Sequence, residues 1–211
     1  MKPLSSASGA LALVALIGAA CAPITDPAPH ADEDVASLSP SSDYVTDDVL
    51  SLRAEEAGLS AEALEDLAAV RRATAPFHRV DVAEASGWPR DFTGCLDFPD
   101  GYMGFGPGAM GHHWISPAAY NDGGALDVST PEALLYETRA DGSVRLTAVE
   151  YIIPERDLPP TAPPPVLFGR EMMFHPDFRV WGMHVWLWLD NPYGLFADVN
   201  PHVACEHSGQ P

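Results

Sequence analysis

The chain has 211 residues, of which 30 are acidic and 11 basic, so its formal net charge is −19 at pH 7. This charge makes nucleic acid and an anionic bilayer surface poor partners. Hydrophobic residues make up 46% of the chain, which is enough to build a core, and the length suits one domain.

The N-terminus has the layout of a cleavable export signal. Lys2 precedes an apolar run over residues 11–17, and small residues follow up to Cys21. A helix needs roughly 20 apolar residues to cross the hydrocarbon core, so this run is too short for a permanent span. The sequence therefore predicts a signal peptide over residues 1–21 and an exported protein of the cell envelope.

Two cleavage routes fit the end of this signal. Ala19-Ala20-Cys21 resembles a bacterial lipobox, although Gly18 stands where lipoboxes usually place a branched residue. A lipid on Cys21 would anchor the protein to a membrane. Ala20-Cys21-Ala22 also fits an A-x-A site, which would release an ordinary periplasmic or secreted protein. We favour lipid attachment at Cys21 and keep the second route open.

An acidic stretch follows the signal. Twelve acidic residues lie between Asp26 and Asp66, among many Pro, Ser and Ala residues and few large apolar ones. Such a stretch buries too little surface to offset its ordering entropy. We therefore expect residues 22–58 to be a solvated tether and residues 59–207 to be one globular domain.

Only Cys95 and Cys205 remain after the signal. An exported protein meets an oxidising compartment, so a disulfide between them is expected. The alternative is two separate thiols, one of which is a soft metal ligand.

The first part of the domain has helical spacing. Ser60 can cap a helix that begins at Ala61. Pro76 should kink it, and Asp81 can cap a short continuation through Ser86.

From Trp88 onward short apolar runs alternate with turn residues. We expect a loop over residues 101–108, a brief strand over 112–115 and a hairpin with strands 133–137 and 144–152. Six of the twelve residues from Pro154 to Pro165 are proline, which predicts a surface connection that does not pair within a sheet.

The last predicted strand covers residues 181–189. Alternation would place His184, Trp186 and Trp188 on one face, and the apolar character of both faces predicts a central position. The fold class is therefore α+β, with an N-terminal kinked helix or helical hairpin packed on a mainly antiparallel sheet with long loops.

Three polar residues stand in apolar strands. His113 and His184 need a hydrogen-bond partner or a metal there, and Glu150 interrupts the strand 148–152. Two histidines and one carboxylate suit zinc, iron or copper, with one position open for water or ligand. We therefore predict a metal site at His113, His184 and Glu150, although no short metal-binding motif accompanies them.

Other readings of these residues stay open. The same groups can act in general acid–base catalysis or be core residues paired for packing alone. His112 and His202 are weaker metal candidates, and His175, between Phe174 and Pro176, is expected in a mobile loop.

Several motifs in order resemble a family of uncharacterised exported bacterial proteins. The resemblance covers residues 62–205 and implies an exported single domain without implying a reaction. Its members have an aromatic residue where His112 stands, which favours His113. The motifs are Met110-Gly111-His112-His113-Trp114, Pro131-Glu132-Ala133-Leu134-Leu135-Tyr136-Glu137, Val149-Glu150-Tyr151, His184-Val185-Trp186-Leu187-Trp188 and Asn200-Pro201-His202-Val203.

The sequence thus predicts an exported envelope protein that binds a transition metal or small ligand through a His/Glu site. One alternative is a small metal-assisted hydrolase or oxygenase, and another is a structural envelope protein with no site. The sequence leaves the oligomeric state undecided.

Overall fold

The computed structural model describes residues 44–90 and 92–209. The predicted signal peptide, the lipid site at Cys21 and the tether up to residue 43 lie outside the described residues. The described chain has the predicted α+β fold, with a short helical region packed on a curled antiparallel sheet.

Between residues 44 and 90, three helices precede the sheet. Helix α1 spans Asp47–Glu56, α2 spans Ala61–Thr74 and α3 spans Val80–Ala85, with a 3-10 turn at Ala75–His78 between the last two. The Ser60 hydroxyl accepts a hydrogen bond from the Ala63 amide at 3.2 Å, which confirms the predicted cap of α2. Pro76 lies in the 3-10 turn and interrupts the helix as predicted.

The predicted cap of α3 is wrong. The cap position is Arg79, and Asp81 lies one residue inside the helix, where its carboxylate pairs with the Arg79 guanidinium. A carboxylate in the first turn still favours the positive end of the helix, so the pattern located the helix but not its first residue.

The boundary between tether and domain is also corrected. Helix α1 lies within the predicted tether, and Val45, Leu50 and Ala54 are buried. Arg53 forms two hydrogen bonds of 2.8 Å with the Asp190 carboxylate, in the segment that follows the last strand. The composition predicted a tether because an average over these residues is dominated by the acidic, exposed side of α1. A few apolar residues on the other side are enough to dock the helix on the domain.

Six strands form the main sheet in the order β1-β2-β3-β4-β8-β7, and every pair is antiparallel. The short strands β5 and β6 pair separately, and a one-turn helix, α4, covers Pro117–Tyr120. The strands are β1 Cys95–Phe98, β2 Gly108–Ile115, β3 Ala133–Thr138, β4 Val144–Pro154, β5 Val166–Leu167, β6 Arg170–Glu171, β7 Met173–His175 and β8 Val180–Val185.

The predicted hairpin is present as β3 and β4, and the predicted strand at 112–115 is the second half of β2. The glycine-rich passage before β2 is irregular up to Gly108. From Glu155 to Pro165 the chain takes no part in the described sheets.

The final strand is shorter than predicted. Strand β8 lies between β4 and β7, a central position, but it ends at Val185. The Leu187 amide bonds to the Val185 carbonyl at 3.0 Å, so the backbone turns there. Alternation fails past that turn, and Trp188 belongs to the same core cluster as Met183 and Leu187, on the face opposite His184.

The sheet therefore has two different faces. The helix face packs on α1, α2 and α3, and its strand residues include Trp114, Leu134, Tyr136, Val149 and Tyr151. The histidine face is the opposite one. It holds the second core cluster, with Ile115, Leu135, Ile152, Val180 and Trp186. The chain after β8, residues 186–209, is the C-terminal segment, and its residues Leu189 and Val203 belong to the same cluster.

A disulfide between Cys95 and Cys205 ties β1 to this C-terminal segment, as predicted. Its two Cα atoms are 5.6 Å apart, and 110 positions separate the cysteines in sequence. The disulfide indicates a location outside the cytoplasm. Among the described helices, none has the length and apolarity needed to cross a membrane.

Candidate metal centre

Strand register brings three of the predicted residues together on the histidine face. Glu150 of β4 pairs directly with His184 of β8, so both side chains leave the sheet on the same side. His113 of β2 reaches the same place diagonally across β3. Opposite Glu150, β3 carries Ala133, whose methyl group leaves room for the longer side chains.

The three side chains form a compact cluster, named here the candidate metal centre. His113 Nε2 lies 3.2 Å and His184 Nε2 3.9 Å from Glu150 Oε2. One ligand atom from each residue can be chosen so that all three lie within 4.8 Å of one another. Protein ligands bind zinc at about 2.0–2.2 Å, so small side-chain adjustments would place one ion among these atoms.

The cluster is buried and only partly satisfied. The side chains of His113, Glu150 and His184 are 5%, 7% and 1% exposed. Neither ring nitrogen of His184 has a hydrogen-bond partner within the described chain. A buried polar atom without a partner is destabilising by about 1–3 kcal/mol, so these nitrogens point to a missing partner.

Charge and burial shift the pKa values within the cluster. Burial opposes ionisation of Glu150, but His184 and His113 outweigh it and lower the Glu150 pKa to about 2. Burial likewise opposes the charged form of His184, yet the Glu150 and Asp198 carboxylates raise its pKa. The carboxylate is therefore ionised at neutral pH, as a metal ligand requires.

His113 is oriented by Thr93. The Thr93 hydroxyl donates to the Gly94 carbonyl at 2.8 Å, and its oxygen lies 3.4 Å from His113 Nδ1. Since the hydroxyl proton is directed to Gly94, the Thr93 oxygen can accept a hydrogen bond from His113 Nδ1–H. With an ion bound, that tautomer would leave the Nε2 lone pair free to coordinate it, which is the arrangement that metal-binding histidines adopt.

Two more buried residues adjoin the centre: Asp198, which the sequence did not indicate, and His175, which was predicted to lie in a loop. Asp198 Oδ1 lies 3.5 Å from His184 Nδ1 and 3.7 Å from His175 Nε2. Asp198 Oδ2 and His175 Nε2 also have no hydrogen-bond partner among the residues described. Asp198 stands in an irregular segment without periodicity, so no sequence pattern could have identified it.

The prediction that His175 lies in a mobile loop is wrong. His175 ends strand β7, pairs with Val180 and is 1% exposed. Its ring stacks on Tyr102 with centroids 5.8 Å apart, and the Tyr102 hydroxyl lies 3.3 Å from Nδ1. Burial lowers the His175 pKa despite the opposing carboxylates of Asp198 and Glu150. Pro176 suggested a loop, but a three-residue strand can precede a proline.

Gly182 leaves space between Glu150 and His175. A Cβ atom at this position would lie 2.9 Å from Glu150 Oε1 and 2.9 Å from His175 Nε2. Both distances are too short for real contacts, so any other residue would displace these groups. The absence of a side chain at Gly182 is therefore part of how the site is built.

The two weaker candidates lie elsewhere. His112 Nε2 is 2.8 Å from the Ser208 hydroxyl, on the side of β2 away from Glu150. His202 is exposed, and its Nδ1 lies 3.2 Å from the Asp190 carbonyl, to which it can donate. Neither belongs to the group that can share an ion.

A cavity of about 170 Å³ adjoins the centre. Its polar lining includes His113 and Glu150 of the centre and the neighbouring His175. The other lining residues are mainly apolar: Phe92, Thr93, Leu96, Met110, Ile115, Tyr120, Ile152, Phe178 and Val180.

Comparisons with known protein families, with curated proteins and with solved structures find no match to this chain. The family resemblance carried by the sequence motifs stays a prediction. The chemistry of the centre has to be inferred from its own residues.

Proposed function

We propose that this protein is an exported envelope protein that binds one divalent transition-metal ion through His113, Glu150 and His184. Zinc, iron and copper are the ions that such a ligand set suits. The observation that carries the proposal is the convergence of three buried ligand atoms within 4.8 Å.

The unsatisfied nitrogens of His184 favour a metal over simple packing. A core histidine normally donates to a carbonyl or carboxylate at hydrogen-bond distance. Here Glu150 and Asp198 lie 3.9 and 3.5 Å from the two ring nitrogens, beyond a good hydrogen bond. An ion could lie in the 3.9 Å gap between Glu150 and His184 Nε2 and bind both. Asp198 would then accept a hydrogen bond from His184 Nδ1 and orient the ring, as in carboxylate–histidine–zinc triads.

The charges around the centre also suit a dication. Glu150 and Asp198 are two buried carboxylates, 7% and 2% exposed, whose ionic partners among the described residues are histidines and not arginine or lysine. A buried anion is unfavourable unless it is paired or coordinates a metal. One divalent ion would neutralise both.

The test is metal analysis of the mature protein purified without a histidine tag. We expect one equivalent of bound metal after incubation with zinc and dialysis, and a rise of the melting temperature with zinc concentration. His113→Ala, His184→Ala and Glu150→Gln should each lower zinc affinity by about tenfold or more, because the residues that bind an ion directly matter at least as much as those hydrogen-bonded to them.

His202→Ala is the matched control, since it removes an exposed imidazole outside the centre. It should leave stoichiometry and affinity unchanged. Absence of bound metal in the folded wild-type protein would refute the proposal and favour a structural envelope protein whose histidines serve packing. Equal zinc affinity in wild type and His184→Ala would exclude His184 as a ligand.

A small metal-assisted hydrolase or oxygenase is the second candidate, and the cavity beside the centre favours it. Three protein ligands leave at least one coordination position open, as in catalytic sites. Metal-dependent turnover in a screen of esters, phosphoesters and oxygenase substrates, lost in Glu150→Gln, would support it. Metal binding without turnover would contradict the enzyme candidate and leave metal binding as the proposed function.

We further propose that the mature protein is anchored by a lipid on Cys21. The disulfide supports export, and the Ala19-Ala20-Cys21 pattern supports lipid attachment. Labelled palmitate should be incorporated into the wild-type protein and not into Cys21→Ser, which should be released from membranes. Cleavage without acylation would instead favour an ordinary secreted protein.

A further inference from the structure

The cavity beside the centre combines apolar walls with a polar end. Met110, Ile115, Ile152 and Val180 line it with buried side chains that are 2–8% exposed. The only strongly polar side chains among its described lining residues that are also buried belong to His113, Glu150 and His175. A pocket with apolar walls and a few convergent polar groups is the usual form of a small-molecule site.

Two exposed aromatic residues belong to the same lining. Phe92 is 71% exposed and Phe178 is 45% exposed, although both have large apolar side chains. Because the other apolar lining residues are more deeply buried, these two rings stand at the solvent end of the cavity. Exposed apolar side chains at the entrance of a cavity are typical of a ligand-binding surface.

We propose that this cavity binds an uncharged molecule with an apolar body of about one six-membered ring and a single nitrogen or oxygen donor atom. The donor coordinates the metal held by His113, Glu150 and His184. The volume of about 170 Å³ matches this size, because an engineered apolar cavity of about 150 Å³ accommodates benzene. This inference rests on the proposed metal-binding function.

Charge explains why the ligand is uncharged. A dication at the centre is already balanced by Glu150 and Asp198, so an anionic ligand would add an unpaired charge in a buried site. The apolar walls offer no partner for a charge at the other end of the ligand. The net charge of −19 also repels anions before they reach the site.

Three probes of one size separate these requirements. 4-Methylpyridine has the ring and a nitrogen donor, toluene has the ring without the donor, and pyridine-4-carboxylate adds a negative charge opposite the nitrogen. Each is titrated into the cobalt(II)-loaded mature protein, with calorimetry for affinity and the cobalt absorption spectrum for coordination. We expect 4-methylpyridine to bind at least about tenfold more tightly than the other two and to shift the spectrum.

Two variants locate the site. Val180→Phe should fill the cavity and weaken 4-methylpyridine binding by about tenfold or more, whereas Val166→Phe makes the same change at an exposed position outside it. Phe92→Ser removes an exposed ring at the entrance, does not disturb the core, and should weaken binding a few-fold. Phe92→Ser keeps the test valid if Val180→Phe does not fold.

The outcomes distinguish this inference from the proposed function. Stoichiometric cobalt with no binding of 4-methylpyridine, or with equal binding of toluene and an unchanged spectrum, would overturn the cavity inference alone. Unchanged affinity in a folded Val180→Phe would overturn it as well, and so would unchanged affinity in Phe92→Ser if Val180→Phe does not fold. Failure of the wild-type protein to bind cobalt would overturn the metal centre and the inference together.

Discussion

The two faces of the sheet are built from alternate residues of the same strands and yet differ in how their polar atoms are satisfied. On the helix face, the Tyr136 hydroxyl donates to the Phe77 carbonyl and the Tyr151 hydroxyl to the Val128 carbonyl. On the histidine face, His184 and Asp198 retain buried polar atoms without partners among the described residues. One exception on the helix face is Trp188 Nε1.

This difference separates stability from binding. A face whose polar groups are paired contributes chiefly hydrophobic burial, whereas unsatisfied buried groups reduce stability and are kept where a ligand completes them. The helix face should therefore determine how stable the fold is, and the histidine face what it binds. Substitutions on each face test this division, and further variants test how the C-terminal segment and α1 are attached to the sheet.

The largest effect on stability should come from the disulfide that ties the C-terminal segment to β1. Replacing Cys95 and Cys205 by alanine should lower the free energy of unfolding by about 4–5 kcal/mol, because the closed loop is long. Urea unfolding of the double variant and of oxidised wild type measures it. Reduced wild type is the control and should resemble the variant. A loss below about 1 kcal/mol would show that the C-terminal segment is held by packing alone.

Leu134→Ala should act on stability without acting on binding. Leu134 is fully buried on the helix face, so its truncation should lower the free energy of unfolding by about 3 kcal/mol. Zinc affinity measured by calorimetry should stay within about twofold of wild type. A clear loss of zinc affinity would break the separation of the two faces.

Glu132 should make stability depend on pH independently of the metal. Glu132 directly precedes β3, and its carboxylate accepts a hydrogen bond of 2.9 Å from the Ile152 amide of β4. Burial raises the Glu132 pKa from 4.5 to about 7. A raised carboxyl pKa means that the folded state holds the proton more tightly, so this contribution is present below about pH 4.5 and lost as pH rises through 7.

Urea unfolding of the metal-free protein should therefore show about 2–3 kcal/mol less stability from this group above pH 7 than below pH 4.5. Glu132→Gln should remove that part of the pH dependence, while Glu65→Gln, on the exposed side of α2, should not. An identical pH profile for wild type and Glu132→Gln would contradict the assignment.

Gly182→Ala should lower both zinc affinity and stability, because this position lies inside the centre. The added methyl group meets Glu150 and His175, so zinc affinity should fall by about 10–100-fold and the free energy of unfolding by about 1–3 kcal/mol. Gly209→Ala, where a Cβ meets nothing within 4 Å, is the control for calorimetry and urea unfolding. Unchanged affinity in Gly182→Ala would mean that the space beside Glu150 does not matter for the ion.

The smallest effect concerns the attachment of α1. Arg53→Met removes the two hydrogen bonds to Asp190 and should lower the free energy of unfolding by about 1 kcal/mol, since the pair is only partly buried. A double-mutant cycle with Asp190→Asn measures the coupling. Additive effects of the two variants would show that the pair does not hold α1 to the domain.

Local rules were enough for much of this protein. Proline at 76 interrupts a helix because it lacks a backbone donor, and the turn residues at 140–143 produce a hairpin because they adopt the dihedrals it needs. Glu150 and His184 could be singled out because each is a polar residue in an apolar strand. These signals are contained in a few neighbouring residues.

Tertiary structure decided the rest. Helix α1 docks although its composition is acidic, because only contact with the sheet identifies which few residues are buried. Asp198 reaches the centre from an irregular segment and His175 from the end of a three-residue strand, and strand register alone places Glu150 opposite His184. Register, the turn after Val185 and the approach of the C-terminal segment depend on contacts between residues far apart in sequence, which no local pattern encodes.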